Sequence, residues 1–187
     1  MKQQKQDKTN VMRLLDAAGI AYRVQEYEVD ENDLSGIHVA NQIGEDPDSV
    51  FKTLVLKGEK RGFLVCCIPV AEELDLKKVA RAVGDKKVEM LPMKELLPTT
   101  GYIRGGCSPI GMKKKFPTYI EETAQIFDKI SISAGQRGVQ VILNPEELAE
   151  EALKLQNMGV DEVTIMDSAG CMLPDEVKEY VKALKNK

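Results

Sequence analysis

Ser49-Val50-Phe51-Lys52-Thr53-Leu54-Val55-Leu56-Lys57-Gly58-Glu59-Lys60-Arg61-Gly62-Phe63-Leu64-Val65-Cys66-Cys67-Ile68-Pro69-Val70 consists of two apolar runs around a charged, glycine-bearing centre. Runs of this length, rich in β-branched residues and bounded by turn formers, read as two strands joined by a turn. The strands are expected over 49–56 and 62–70. The longest apolar run, from Phe63 to Ala71, is broken by Pro69 and suits a buried strand. Cys66 and Cys67 lie inside the second run, and at least one should behave as a small core residue.

The surrounding sequence supplies further elements. Apolar spacing at Val11, Leu14, Leu15 and Ala18 predicts a helix over 10–18, stopped by Gly19. A strand over 21–29, a polar loop over 30–36 and a short helix over 37–43, ended by Gly44, follow. Downstream, Leu76 to Val83 has the helical pattern, with Asp75 as its cap. A short strand over 87–90 and a short helix over 92–97 come next. Three more strands are expected at 118–121, 129–133 and 138–143. The sum is an α+β domain: a mixed, mostly antiparallel sheet or partly closed barrel with flanking helices. Asn144-Pro145 marks a break, giving a first domain over 1–145 and an appendage over 146–187. The appendage reads as helix (146–158), strand (162–166) and helix (175–184), Asn144 capping the first.

Length and composition set limits. The 187 residues can bury a real core. Hydrophobic residues make up 43% and charged residues 30%, ordinary for a water-soluble globular chain. No apolar run is long enough to span a bilayer. The first ten residues lack the apolar centre of a signal peptide, so a cytoplasmic location is expected. Four cysteines without a C-x-x-C pair, and the single His38, leave no zinc spacing; no metal and no cofactor are expected. The formal net charge is −4, but the acidity is concentrated after residue 145, where ten acidic side chains face five basic ones. The body is near neutral and carries a local cluster, Lys113-Lys114-Lys115. That cluster is either a solvated face or a contact for phosphates.

The chemically informative stretch is Gly101-Tyr102-Ile103-Arg104-Gly105-Gly106-Cys107-Ser108-Pro109-Ile110-Gly111. Its glycines permit backbone geometry that other residues avoid, and its proline stiffens the turn. Such a loop can offer its amides to an anionic or carbonyl-bearing ligand, although an ordinary turn has the same composition. No Ser-His-Asp or Cys-His set can be assembled, because His38 lies in a distant segment with no obvious partner. Cys107 has no visible activating base and reads as a packing residue. Any catalysis must therefore rest on positioning, charge and backbone donors.

Taken in order, Val50-Phe51-Lys52-Thr53-Leu54, Pro69-Val70, Leu74-Asp75-Leu76-Lys77-Lys78-Val79-Ala80, Lys86-Lys87-Val88-Glu89-Met90, the glycine loop, and Ser133-Ala134-Gly135-Gln136-Arg137-Gly138 resemble the YbaK-type aminoacyl-tRNA deacylases. These are relatives of the editing domain of prolyl-tRNA synthetases. The resemblance covers roughly residues 10–148 and is strongest to the free-standing Cys-tRNA(Pro) deacylases. It implies hydrolysis of the ester joining a mischarged amino acid to tRNA, assisted by the substrate's own thiol. It further implies that Lys52, Gly105 and Ser133 carry the catalysis. Phe51, Thr53, Gly106, Ser108, Pro109, Gly135 and Arg137 would contact substrate, Arg137 either binding phosphate or pairing with an acid. Lys113 and Lys114 would touch tRNA. The implied partners are aminoacylated tRNA and prolyl-tRNA synthetase. A deacylase for alanine or another small amino acid, and a non-catalytic module binding tRNA or synthetase, remain open. The stretch from Ala152 to Val177 is similar to one helix–strand–helix segment of 4-hydroxy-2-oxovalerate aldolase barrels. One such unit cannot close an eight-fold barrel, so no aldolase activity is expected from it.

Overall fold

The structure, a computed structural model, describes residues 7–154 and 163–166. The chain enters through helix α1 (Asn10–Ala18), whose Thr9 hydroxyl accepts from the Met12 amide and whose Gly19 turns left-handed at φ 75°. Strand β1 (Tyr22–Glu26) leads through the 27–35 loop to α2 (Gly36–Ile43), capped by Ser35. The hairpin follows as β2 (Phe51–Gly58) and β3 (Gly62–Pro69), paired antiparallel from Phe51 opposite Pro69 to Gly58 opposite Gly62. Helix α3 (Leu76–Ala82) starts where the Asp75 carboxylate accepts from the Lys77 and Lys78 amides. Then come β4 (Val88–Met90), α4 (Met93–Thr100), β5 (Thr118–Glu121), β6 (Ile130–Ser133) and β7 (Val139–Leu143). The Asn144 side chain accepts from Glu146 and Glu147 and opens α5 (Pro145–Lys154), as its position before Pro145 predicts. Strand β8 (Val163–Met166) is the last described element. The remainder of the helix expected to Met158, and the helix expected over 175–184, lie outside the described residues.

The strands form two sheets. One is antiparallel, in the order β1-β7-β6; the other is mixed, in the order β4-β2-β3-β5-β8. Four of the six pairings are antiparallel; β3–β5 and β5–β8 are parallel. The sheets do not close into a barrel. Among the described residues they meet at a single bridge, Val50 opposite Ser131.

The main core fills the space between the sheets. Phe51, Val55, Val65 and Cys67 from the hairpin meet Ile132 and Val141 from the antiparallel sheet, with Val11 and Leu15 of α1 sealing one side. The opposite hairpin face turns Leu56, Leu64 and Cys66 towards Val79, Ala80 and Val83 at α3. Alternation along a strand thus sends Cys66 and Cys67 into different clusters, and both are buried. A third cluster sets Ala40 and Ile43 of α2 against Val50 and Val70. At the far end of the hairpin, Asp85 fastens the turn by accepting from the Lys60 and Arg61 amides at 3.0 and 2.9 Å. No helix among the described residues is long and apolar enough to cross a membrane.

Candidate functional site

A cleft of about 390 Å³ opens where the two sheets meet. The mixed sheet contributes Phe51, Lys52 and Thr53 from the start of β2; the antiparallel sheet contributes Ser133 and Gln140. The glycine loop contributes Arg104, Gly105 and Cys107. The 27–35 loop and the first turn of α2 form the opposite wall, and Met90, Leu91, Met93 and Leu96 the floor and lip. The three residues expected to carry catalysis, from segments up to 81 positions apart in sequence, therefore share one cavity.

Lys52 is half-buried. Its ammonium donates to the Val70 carbonyl at 3.2 Å and to the Glu72 carbonyl. Partial burial lowers its pKa from the usual lysine value, while the nearby Glu73 and Glu72 carboxylates act against that shift. The charge rests on carbonyls at the cleft wall, where a phosphate could exchange for them.

The glycine loop divides at its tip. Gly105 is exposed and left-handed at φ 80°, which favours glycine. From Gly106 to Ile110 the chain is buried. The Gly106 amide is spent on the Ile103 carbonyl at 3.0 Å, and a Cβ there would lie 3.1 Å from the Gln136–Arg137 backbone. Ser108 is fully buried, its hydroxyl accepting from Ile110 at 3.4 Å. Of the expected loop contacts, Gly105 thus reaches the cleft, whereas Gly106, Ser108 and Pro109 hold the loop's shape.

Ser133 accepts from the Gly135 amide at 3.2 Å and lines the cleft; Gly135 itself is pressed against α1 and Tyr102 and does not. Arg137 also lies outside the cleft lining. It pairs with an acid: one guanidinium nitrogen reaches both Glu31 oxygens, at 2.9 and 2.8 Å, while Nε donates to the Arg104 carbonyl at 2.8 Å. Lys113 and Lys114 are exposed, beyond the cleft.

Burial pushes the Cys107 thiol up to about 12, so it is protonated at neutral pH and unsuited to nucleophilic attack. His38 lines the cleft, which the sequence did not signal, and its Nε2 is engaged by the Gln42 side chain at 2.7 Å. The Glu28 amide donates to the Gln42 side-chain oxygen, which orients the Gln42 –NH₂ group towards the Glu28 carbonyl and His38 Nε2. Nε2 therefore accepts, and Nδ1 carries its proton 3.6 Å from Asp33. That arrangement leaves no free lone pair for a general base. Glu28, Asp30 and Asp33 give the loop wall an acidic character, also missed because Glu28 sits in a stretch that reads as a strand and the other two in one that reads only as a polar loop. No cluster of potential metal ligands occurs among the described residues.

A mixed α+β body whose two-sheet cleft brings together a lysine and a glycine-loop tip, with no nucleophile–base pair among the described residues, is the arrangement expected of an editing domain of the aminoacyl-tRNA type. The chain belongs to that family: the aminoacyl-tRNA editing domain model matches residues 36–151. Over 163 residues, 87% of this chain and 97% of the relative, it is 50% identical to a protein of Enterococcus faecalis assigned as the Cys-tRNA(Pro)/Cys-tRNA(Cys) deacylase EbsC. Among solved structures, one assigned as a trans-editing enzyme for prolyl tRNA synthetase shares the fold with a TM-score of 0.68 at 24% identity. It covers 84% of this chain and 92% of that one. A scaffold used for epitope grafting superposes with a TM-score of 0.69 at 23% identity, covering 84% and 93%. A 41-residue stretch of the chain is 56% identical to the 4-hydroxy-2-oxovalerate aldolase of Brevibacillus brevis, and spans 12% of that enzyme.

Proposed function

We propose that the chain is a trans-acting deacylase that removes a mischarged amino acid from tRNA, with Cys-tRNA(Pro) as its substrate. The observation that carries the reading is the cleft in which Lys52, Gly105 and Ser133 converge, with no nucleophile–base pair among the described residues. The likeness to the E. faecalis protein, over 87% of this chain and 97% of that one, supports the choice of cysteine.

In this reading Lys52 exchanges its carbonyl partners for the phosphate of the terminal nucleotide, a task suited to a compact point charge. The aminoacyl carbonyl oxygen faces the Gly105 amide. The cysteinyl sulfur attacks its own carbonyl carbon, the ester C–O bond to the ribose breaks, and the thiol proton ends on the ribose oxygen. The products are tRNA with a free hydroxyl and a cysteine thiolactone, which water opens to cysteine. The chain contributes placement of thiol and ester, and a donor for the developing oxyanion, worth roughly 10²–10³ in rate. Ser133 shapes the wall beside the ester, with the Thr53 hydroxyl nearby. The site of action is the cytoplasm, with prolyl-tRNA synthetase as the source of mischarged substrate. In this reading residues 146–187, from which β8 joins the mixed sheet, carry no activity of their own.

The test is deacylation of Cys-, Ala- and Ser-tRNA(Pro) by the purified chain. Rapid loss of cysteine, with the other two slow, is the expected result. Turnover of alanine but not cysteine overturns the thiol-assisted route, and no turnover of any overturns the enzyme assignment.

A further inference from the structure

Arg137 touches three segments around the cleft without entering it. Its own turn follows Ser133; Glu31 belongs to the loop that walls the cleft, 106 residues earlier; and Arg104 lies at the tip of the glycine loop. The contact with Arg104 is to the carbonyl, at 2.8 Å. That carbonyl and the Gly105 N–H belong to one peptide unit. The unit is trans and planar, so its C=O and N–H point in opposite directions. Fixing the carbonyl on Arg137 therefore fixes where the Gly105 N–H points, which is away from Arg137.

Two more observations single out this amide. Among the described residues the Gly105 N–H has no hydrogen-bond partner, whereas the next amide, of Gly106, is spent on Ile103. Gly105 is also the exposed tip of a loop that is otherwise buried, and it lines the cleft. A free amide at an exposed tip would ordinarily turn with its peptide plane. Here the guanidinium holds that plane, and Glu31 holds the guanidinium.

We infer that Arg137, anchored by Glu31, is a positioning residue that sets the Arg104–Gly105 peptide so that the Gly105 amide faces the substrate's ester carbonyl. The inference rests on the deacylase reading above. It explains the residue type: a planar fork can grip a carboxylate and a carbonyl at once, and an ammonium cannot hold that geometry. It also replaces the expectation that Arg137 contacts substrate.

The test uses the full chain with Arg137→Lys and Glu31→Gln, each at a temperature where thermal melting shows it folded. Single-turnover deacylation of Cys-tRNA(Pro) is measured against tRNA concentration at several salt concentrations, alongside the ¹H–¹⁵N resonance of Gly105. Arg137→Lys is expected to slow the chemical step about 10-fold or more, within the roughly 10²–10³ that loss of an oxyanion donor costs. The tRNA concentration for half-saturation and the salt slope should stay within twofold of wild type, and the Gly105 resonance should move. Glu31→Gln should act in the same direction but less. An unchanged rate in Arg137→Lys overturns the inference, as does a lower melting temperature with the rate intact. So does a raised half-saturation with a salt slope shallower by about one, which marks a phosphate contact. If wild type itself fails to deacylate, the functional reading falls, and the Gly105 resonance in Arg137→Lys still decides the geometric claim.

Discussion

Gly36→Ala should loosen the cleft from a position that bears no functional group. Gly36 is the first residue of α2, and a Cβ there would lie 2.2 Å from Val70 Cγ1 and 2.5 Å from Val70 Cβ. Carbon atoms settle at about 3.5–4.0 Å, so one partner must retreat by more than about 1 Å. Val70 is poorly placed to do so: it is buried, and its amide donates to the Val50 carbonyl at 2.8 Å. Helix α2 must therefore lift, separating Ala40 and Ile43 from Val50 and Val70. Overpacking of this kind costs about 1–3 kcal/mol. Val70→Gly alone should cost about 2–3 kcal/mol in lost burial, with roughly 0.5–1 more for backbone freedom. In the double variant the new methyl enters the space Val70 has vacated, so the two costs should fall short of their sum by about 1–2 kcal/mol. Urea unfolding of the four proteins measures that coupling. The Val70 carbonyl holds Lys52, and both Gly36 and Val70 line the cleft. Gly36→Ala should therefore also raise the tRNA concentration needed for half-maximal deacylation. Additive costs, within about 0.5 kcal/mol, would refute the reasoning, because independent sites behave that way.

Other outcomes follow from the same geometry. Lys52→Ala should weaken tRNA use and flatten its salt dependence by about one counterion; deacylation across a salt series checks this, and an unchanged slope argues that Lys52 touches no phosphate. Cys107→Ala should keep deacylation within a few-fold of wild type, since the thiol is protonated at working pH; a loss on the order of 10³ would make it a participant. Asp85 has its pKa lowered from 3.8 by the amides of Arg61, Lys60 and Lys86, despite an opposing desolvation effect. A depressed carboxylate contributes stability that is whole above its unfolded value and lost as pH falls through its folded value. Asp85→Asn should thus be less stable than wild type at pH 6, with the gap closing below about pH 4 in urea midpoints; a gap constant with pH would contradict this.

What the sequence disclosed was mostly local. Helix starts at Asp75 and Asn144, and stops at Gly19 and Gly44, depend on neighbours within a turn, so their chemistry is visible along the chain. The hairpin was equally legible, because register and burial follow from two adjacent runs. Direction was not. The motif Gly105 to Pro109 can be located by composition, but the burial of all except its tip depends on contact with the 135–137 turn. The pairing of Arg137 with Glu31 was equally hidden, because no local pattern connects two residues 106 positions apart. The split into two sheets was hidden for the same reason: β1 finds β7 only after most of the body has been made. Nor does strand composition distinguish the parallel placement of β8 beside β5 from an antiparallel one.

The meeting of the two sheets at the Val50–Ser131 bridge has a further consequence. Lys52 rides on one sheet and Ser133 on the other, and the aperture between them is set by the packing of Val65, Cys67, Ile132 and Val141 behind the cleft. Which side chain fits the aperture is then a matter of calibre, governed by residues that never touch the ligand. Divergence among such enzymes can proceed by shimming the interior, adding or removing a methylene far from the chemistry, while every residue that meets the ester stays the same.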